Sequence, residues 1–324
     1  MKPRSDKWQV TGDKMAAIRE SRSCHLSRVT CHAFTLVEVL VVFVLLSLIV
    51  LALMAVFNTT QTAFRASVTQ ADVLESGRAT MDLMTADLRA MSPSFGQSNT
   101  NFPVAANFYA AVTSYGSPPS PLYQPMIGAS PPQSRTNVLE NIFILSRGNA
   151  SGVSTWYGVG YAVATNAPPG SLYSLYRFAT NHPVAAIDPT LIFTRDFGGF
   201  LTNITSGSHL MDGVVALTVR GYDVNGGQMT TNIITFSDGQ TATNKNVIYF
   251  QPAWGQVGFI MFSNTLPASV EIEMGVLEDR ALQRAESLSG SFIAQSNYLA
   301  GAAGQVHVFR QRVSIANVDP AAYQ

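Results

Sequence analysis

One stretch dominates the alternation of apolar and polar positions: from Val39 to Phe57 every residue but Ser47 is apolar. At about 1.5 Å per residue, a helix of this length crosses a hydrocarbon core of roughly 30 Å. The period then changes. Phe64, Val68, Ala71, Leu74, Met81, Met84 and Leu88 recur at helical intervals, with Arg65, Asp72, Glu75, Arg78 and Asp82 between them. This predicts an amphipathic helix that continues the apolar one. Pro93, Ser94 and Gly96 are expected to end it, and Gly77 to weaken it midway.

Residues 92–136 are rich in Pro, Ser, Asn and Gly and read as an irregular surface excursion. Its aromatics, Phe102, Phe108, Tyr109, Tyr115 and Tyr123, indicate packing over the domain's own sheet. Beyond it, short β-branched and aromatic runs alternate with turn clusters: 141–146, 155–164, 172–178, 214–222, 231–236, 247–250, 257–262, 269–276 and 305–315. Such spacing predicts antiparallel sheet. One more helix is expected at 278–288, with the chain loosened by Gly290 and by the glycines at 301 and 304. A long helix first and strands later gives an α+β fold.

With 47% hydrophobic and 12% charged residues in 324, the chain has enough apolar side chains to bury a core. Its formal net charge is zero, which argues against nucleic acid as a partner, since nothing is left over to neutralise phosphates. The charge is unevenly spread. Residues 1–33 hold seven Lys or Arg against three Asp or Glu, a net of +4 that leaves −4 for the rest. A basic flank before an apolar span marks the cytoplasmic side. The later residues are therefore expected beyond the membrane. Both cysteines, Cys24 and Cys31, lie in the basic stretch. If that stretch is removed, stability rests on packing without a disulfide.

A secretory signal peptide is the rival explanation of the span. Its apolar region is normally about 7 to 15 residues and ends in a small-x-small cleavage site. Here Leu53 occupies the minus-three position for a cut after Ala55. The anomaly is Glu38, a carboxylate inside the apolar segment. At mid-helix such a charge costs about 2.5–3.5 kcal/mol; at the lipid interface it costs little.

Its neighbours give Glu38 a context. Ala33-Phe34-Thr35-Leu36-Val37-Glu38-Val39-Leu40, after a basic leader and before an apolar run, resembles the processing motif of prepilin-like proteins of the type IV pilin and type II secretion pseudopilin superfamily. The family normally has Gly where Ala33 stands, and a small residue is retained. The resemblance implies cleavage between Ala33 and Phe34 by prepilin peptidase, N-methylation of Phe34, and assembly through Glu38. Cutting creates a cationic amine in an apolar setting, where a neighbouring subunit's carboxylate relieves both charges. The division expected is a cleaved basic leader at 1–33, a transmembrane helix at 34–57, an amphipathic stalk helix at 58–91 and a globular domain at 92–324. Initiation at Met15 would shorten the leader while keeping Arg19, Arg22 and Arg28.

Looser similarities follow. Asp87-Leu88-Arg89, the Tyr161 to Arg177 stretch with Leu175-Tyr176-Arg177, Leu210 to Tyr222, and Leu266-Pro267-Ala268 look like J-type minor pseudopilins of type II secretion. Val308-Phe309-Arg310 through Val313 is similar to Verru_Chthon cassette type C prepilins. The implied partners are prepilin peptidase, other prepilins or pseudopilins, and an inner-membrane assembly platform.

Signatures of chemistry are few: there is no GxSxG, GxxxxGK[ST], HExxH or CxxC. Ser208, His209 and Asp212 are the residue types of a hydrolase triad, but triads are assembled in space from separate elements. A polar turn is the plainer expectation. Asp223-Val224-Asn225-Gly226-Gly227 places oxygen donors at Asp223 and Asn225, as at the start of a calcium loop, but lacks the later bidentate Glu. The same residues make a hairpin turn. Two functions stand out: a non-enzymatic minor subunit of a pseudopilus or type IV pilus-like filament, and a monomeric membrane-anchored module whose 92–136 loop captures a ligand. A tethered hydrolase is third.

Overall fold

The computed structural model describes residues 35–96, 104–112, 122–125, 134–164, 172–230, 233–235, 241–243, 246–250, 256–319 and 322. The chain divides into two compact units, Met1–Thr60 and Gln61–Gln324. Helix α1 (Leu36–Arg89) supplies the described part of the first and opens the second. All its residues from Leu36 to Thr60 are exposed. A helix that is apolar all round and buries nothing within its own chain has lipid or other helices as its stable surroundings.

The second unit contains the strands β1 (Ala106–Val112), β2 (Leu122–Pro125), β3 (Ser134–Asn137), β4 (Glu140–Ala150), β5 (Val153–Ala164) and β6 (Ser174–Pro183). A helical stretch follows: α2 (Pro189–Leu191), a π turn (Ile192–Phe197) and α3 (Gly198–Thr202). Then come β7 (Ser208–Met211), β8 (Val214–Tyr222), β9 (Ile233–Thr235), β10 (Thr241–Thr243), β11 (Val247–Tyr249), β12 (Phe259–Phe262) and β13 (Ser269–Leu277). Helices α4 (Asp279–Ser287) and α5 (Phe292–Gly301) precede the last strand, β14 (Val306–Ser314). A seven-stranded sheet has the order β11-β12-β1-β4-β5-β6-β7, and a three-stranded sheet the order β14-β13-β8. Every strand pair in both is antiparallel. The architecture is α+β and pilin-like, a long N-terminal helix followed by antiparallel sheet.

Side-chain alternation explains the packing. On β4, Ile142 and Ile144 join the core formed with Met81, Met84 and Leu88 of α1 and with β8 and β13. Phe143 and Leu145 point to the other face, into a second core with Ile192, Phe197 and Phe200. The larger sheet is thus buried on both faces, which is why its strands read as continuous apolar runs. The second core is aromatic, with ring centroids of Phe143 and Phe197 at 5.1 Å. Gly160 of β5 makes room for it: a Cβ there would lie 2.4 Å from the Phe197 ring.

Three expectations need correction. The 92–136 stretch is not wholly irregular, because β1 runs through it as an interior strand between β12 and β4, and β2 pairs with β3 inside or beside it. Residues 208–211 form a strand on β6 rather than a polar turn, since Leu175 and Tyr176 supply a partner edge. The chain after Gly290 is helical: α5 is tied to α4 by the buried Gln295, whose amide donates to the Ala285 carbonyl at 2.9 Å.

Gly77 does not break α1, and its missing side chain has a structural use. A Cβ there would lie 2.3 Å from Cζ of Phe309 on β14, so the glycine seats that ring against the helix. Gly77→Leu is expected to cost about 2 kcal/mol by overpacking, read by chemical denaturation. The loss should shrink in a Phe309→Ala background; an equal loss in both backgrounds would show that the ring is not what the new side chain meets.

The stalk part of α1 is also held by charge. Arg177 of β6 donates from Nε to Asp87 Oδ2 at 2.9 Å and from Nη2 to Oδ1 at 3.0 Å, a forked pair. Tyr161, directly opposite Arg177 in the β5–β6 register, donates a short hydrogen bond to the same carboxylate. Burial, and then the Asp87 charge, push the Tyr161 phenol above its ordinary range, so it stays a neutral donor.

Candidate processing and assembly site

The first turn of α1 is built by a reciprocal cap. Thr35 is non-helical and its backbone N–H donates to Glu38 Oε2 at 2.9 Å, with its hydroxyl donating to the same oxygen at 3.0 Å. The Glu38 N–H donates back to Thr35 Oγ1 at 3.3 Å. This is a capping box, in which two N–H groups that helix geometry leaves without partners satisfy each other's side chains. Its negative end also complements the helix dipole. The apolar segment therefore has a structural use for Glu38 within one chain, one that its charge cost alone does not reveal. The signal was present as Thr35-x-x-Glu38. Ala33 and Phe34 lie outside the described residues.

Downstream, the polar groups of the apolar helix are satisfied locally. Ser47 donates to the Val44 carbonyl at 2.8 Å and Thr59 to that of Ala55 at 2.8 Å. Such back-bonding leaves hydroxyls compatible with lipid.

The model of the prokaryotic N-terminal methylation motif matches residues 28–54. It spans the sequence around Ala33 and Phe34, the capping box and most of the apolar run. The chain thus has a prepilin-type N-terminus, the kind processed by prepilin peptidase and built into assemblies with other pilins. Proteins with this motif are structural subunits, not enzymes. No curated protein and no solved structure matches the chain.

The other candidates are engaged in local structure. Asp223 Oδ1 accepts from the N–H groups of Asn225 at 2.9 Å and Gly227 at 2.8 Å, while the Gly226 N–H donates to the Asp223 carbonyl. Gly226 has φ +82°, a conformation that favours glycine. One carboxylate oxygen is thereby used to hold the turn, and among the described residues no group of three or more His, Cys, Asp or Glu is placed to hold a metal ion. His209 bonds Asp212 at 2.8 Å, but the serine on that carboxylate is Ser174, at 2.5 Å. Ser174 donates to the acid and not to the imidazole. The hydroxyl and the imidazole are thus both bonded to the carboxylate, which is not the Ser-His-Asp order of a hydrolase triad. The sequence singles out Asp87 in one motif and the stretch from Tyr161 to Arg177 in another; the structure brings the three residues together.

Proposed function

We propose that the chain is a minor subunit of a type II secretion pseudopilus or a type IV pilus-like filament. Residues 34–57 anchor it in the inner membrane and the globular domain is periplasmic. The observation that carries this reading is the methylation motif laid over an all-round apolar, exposed helix whose first turn holds Glu38. Prepilin peptidase cuts between Ala33 and Phe34, Phe34 is N-methylated, and an inner-membrane platform draws the helix into a filament of other prepilins. Glu38 then exchanges its neutral Thr35 donors for the cationic amine of a neighbouring subunit. A charge-assisted hydrogen bond is roughly twice as strong as a neutral one, so the exchange favours one axial register.

Intact-mass and N-terminal analysis of the chain, produced with and without its native prepilin peptidase, tests the reading. The expected product is peptidase-dependent loss of residues 1–33 with methylated Phe34 at the new terminus. A leader retained in both strains would favour a monomeric membrane-anchored binding module. Glu38→Ala is expected to be processed but poorly incorporated into filaments; unchanged incorporation would remove the charge-pairing role.

A further inference from the structure

A cleft of about 640 Å³ opens at one end of the larger sheet, and all its lining residues belong to the second unit. Its lining includes Phe95, Arg147, Trp156, Asp188, Thr190 and Ser263. Two of these are backbone outliers: Phe95 has φ +52° and Ser263 φ +61°. A bulky residue in that region is strained and persists only where its surroundings over-determine it.

Here they do. Asn107, fully buried on β1, accepts from the Ser94 N–H at 2.8 Å and donates to the carbonyls of Ser263 at 3.0 Å and Thr265 at 2.9 Å. The Phe95 N–H closes the network on the Ser263 carbonyl at 2.9 Å. The result fixes Phe95 as a residue 68% exposed. A large aromatic held open by a strained backbone is not explained by core packing.

The cation in the cleft is equally prepared. Arg147 lies over the Trp156 ring at 5.4 Å and its Nε donates to Ser154 Oγ at 3.0 Å. Stacking and that bond orient the guanidinium, and its side chain is in no ion pair among the described residues. A planar fork of this kind matches a carboxylate. Thr190, Ser263 and Asp188 add hydroxyl and carboxylate groups.

The geometry points to a binding site for a short anionic saccharide, one containing uronic acid. Arg147 takes the sugar carboxylate, the Phe95 face takes the apolar side of a ring, and Thr190, Ser263 and Asp188 bond ring hydroxyls. An extended peptide is a poorer fit. Peptide capture by strand addition needs a free sheet edge, and Arg147 and Trp156 sit on β4 and β5, both interior strands. The site is independent of processing or assembly, so its test leaves that reading untouched.

The full chain, solubilised in an amine-oxide detergent to avoid glycoside headgroups, is titrated calorimetrically with tetragalacturonic acid, with cellotetraose and with an acidic tetrapeptide. Saturable galacturonate binding with Kd below about 1 mM is expected, with cellotetraose weaker by about tenfold or more. Arg147→Gln, a change at an exposed position, and Phe95→Ala should each weaken binding about tenfold or more. No saturable binding, equal binding of the peptide, or wild-type affinity in Arg147→Gln would overturn the assignment.

Discussion

Asp87→Ala is expected to lower the unfolding free energy by about 3 kcal/mol, seen as a reduced denaturation midpoint at unchanged m. The carboxylate accepts both arms of the Arg177 fork and the Tyr161 hydroxyl. Removing it leaves a cation and a phenol facing apolar surroundings without their acceptor. Arg177 and Asp87 keep 23% and 17% of their side chains exposed, which places the cost at the lower end for a buried pair. Exchanging Arg177 for Met in the same chain should recover part of the loss, since the stranded cation goes with it. A single-variant loss under about 0.5 kcal/mol would mean that apolar contacts alone hold the stalk to the sheet.

The legible parts of this fold are those where one period dominates. The long helix was readable because α1 has a long apolar run and then a helical stripe, and β8 because its apolar run at 214–222 is bounded by turn residues. Met81, Met84 and Leu88 of the stripe are buried as expected, while Phe64 and Val68 are exposed, so the domain covers only the later part of the stalk. Strand β1 was not legible. Ala106-Asn-Phe-Tyr-Ala-Ala-Val112 has low strand propensity, carries a buried Asn, and is packed on both sides, so no alternation marks it.

The helical stretch from Pro189 had a readable start, Asp188 capping the Thr190 N–H at 2.8 Å with Pro at the first helical position. Its interior hid it. Ile192-Phe-Thr-Arg-Asp-Phe197 followed by two glycines resembles a strand and turn, and the π turn that brings Ile192 and Phe197 onto the sheet has no common sequence signal. At the N-terminus, the motif around Glu38 was legible while its cap was overlooked. The Asp87, Tyr161 and Arg177 cluster joins residues 74 and 90 positions apart, a contact that periodicity does not encode.

Glu140 is expected to make stability fall by about 3 kcal/mol between pH 5 and 7.5, a contribution that Glu140→Gln removes. Glu140 is 1% exposed at the start of β4. Its Oε2 accepts the Val219 N–H at 2.5 Å, and its Oε1 is buried without a hydrogen-bond partner. Leu217, two residues earlier, donates its N–H to the Val138 carbonyl, so the carboxyl substitutes for a strand carbonyl along the outer edge of β8. Burial raises its pKa to about 8, against weaker opposition from the Val219 N–H and Arg220.

The sign follows from proton counting. Between about 4.5 and 8 the folded chain keeps a proton that the unfolded chain has lost, so each pH unit in that window costs up to about 1.4 kcal/mol. Glu271 and Asp196 act outside it. Burial works against both charges, yet hydrogen bonds from Arg310 and Arg220 hold Glu271 below its ordinary value, and those from Arg195 and His182 do so for Asp196. Their stabilisation is present above the ordinary carboxylate range and is lost as pH falls through their lowered values. The histidines are common to wild type and variant, so the difference between the two curves isolates Glu140. Gln keeps the acceptor for Val219 and cannot ionise; the variant should match wild type near pH 5 and exceed it at 7.5. Parallel curves would show that Glu140 is already ionised in the folded chain at neutral pH.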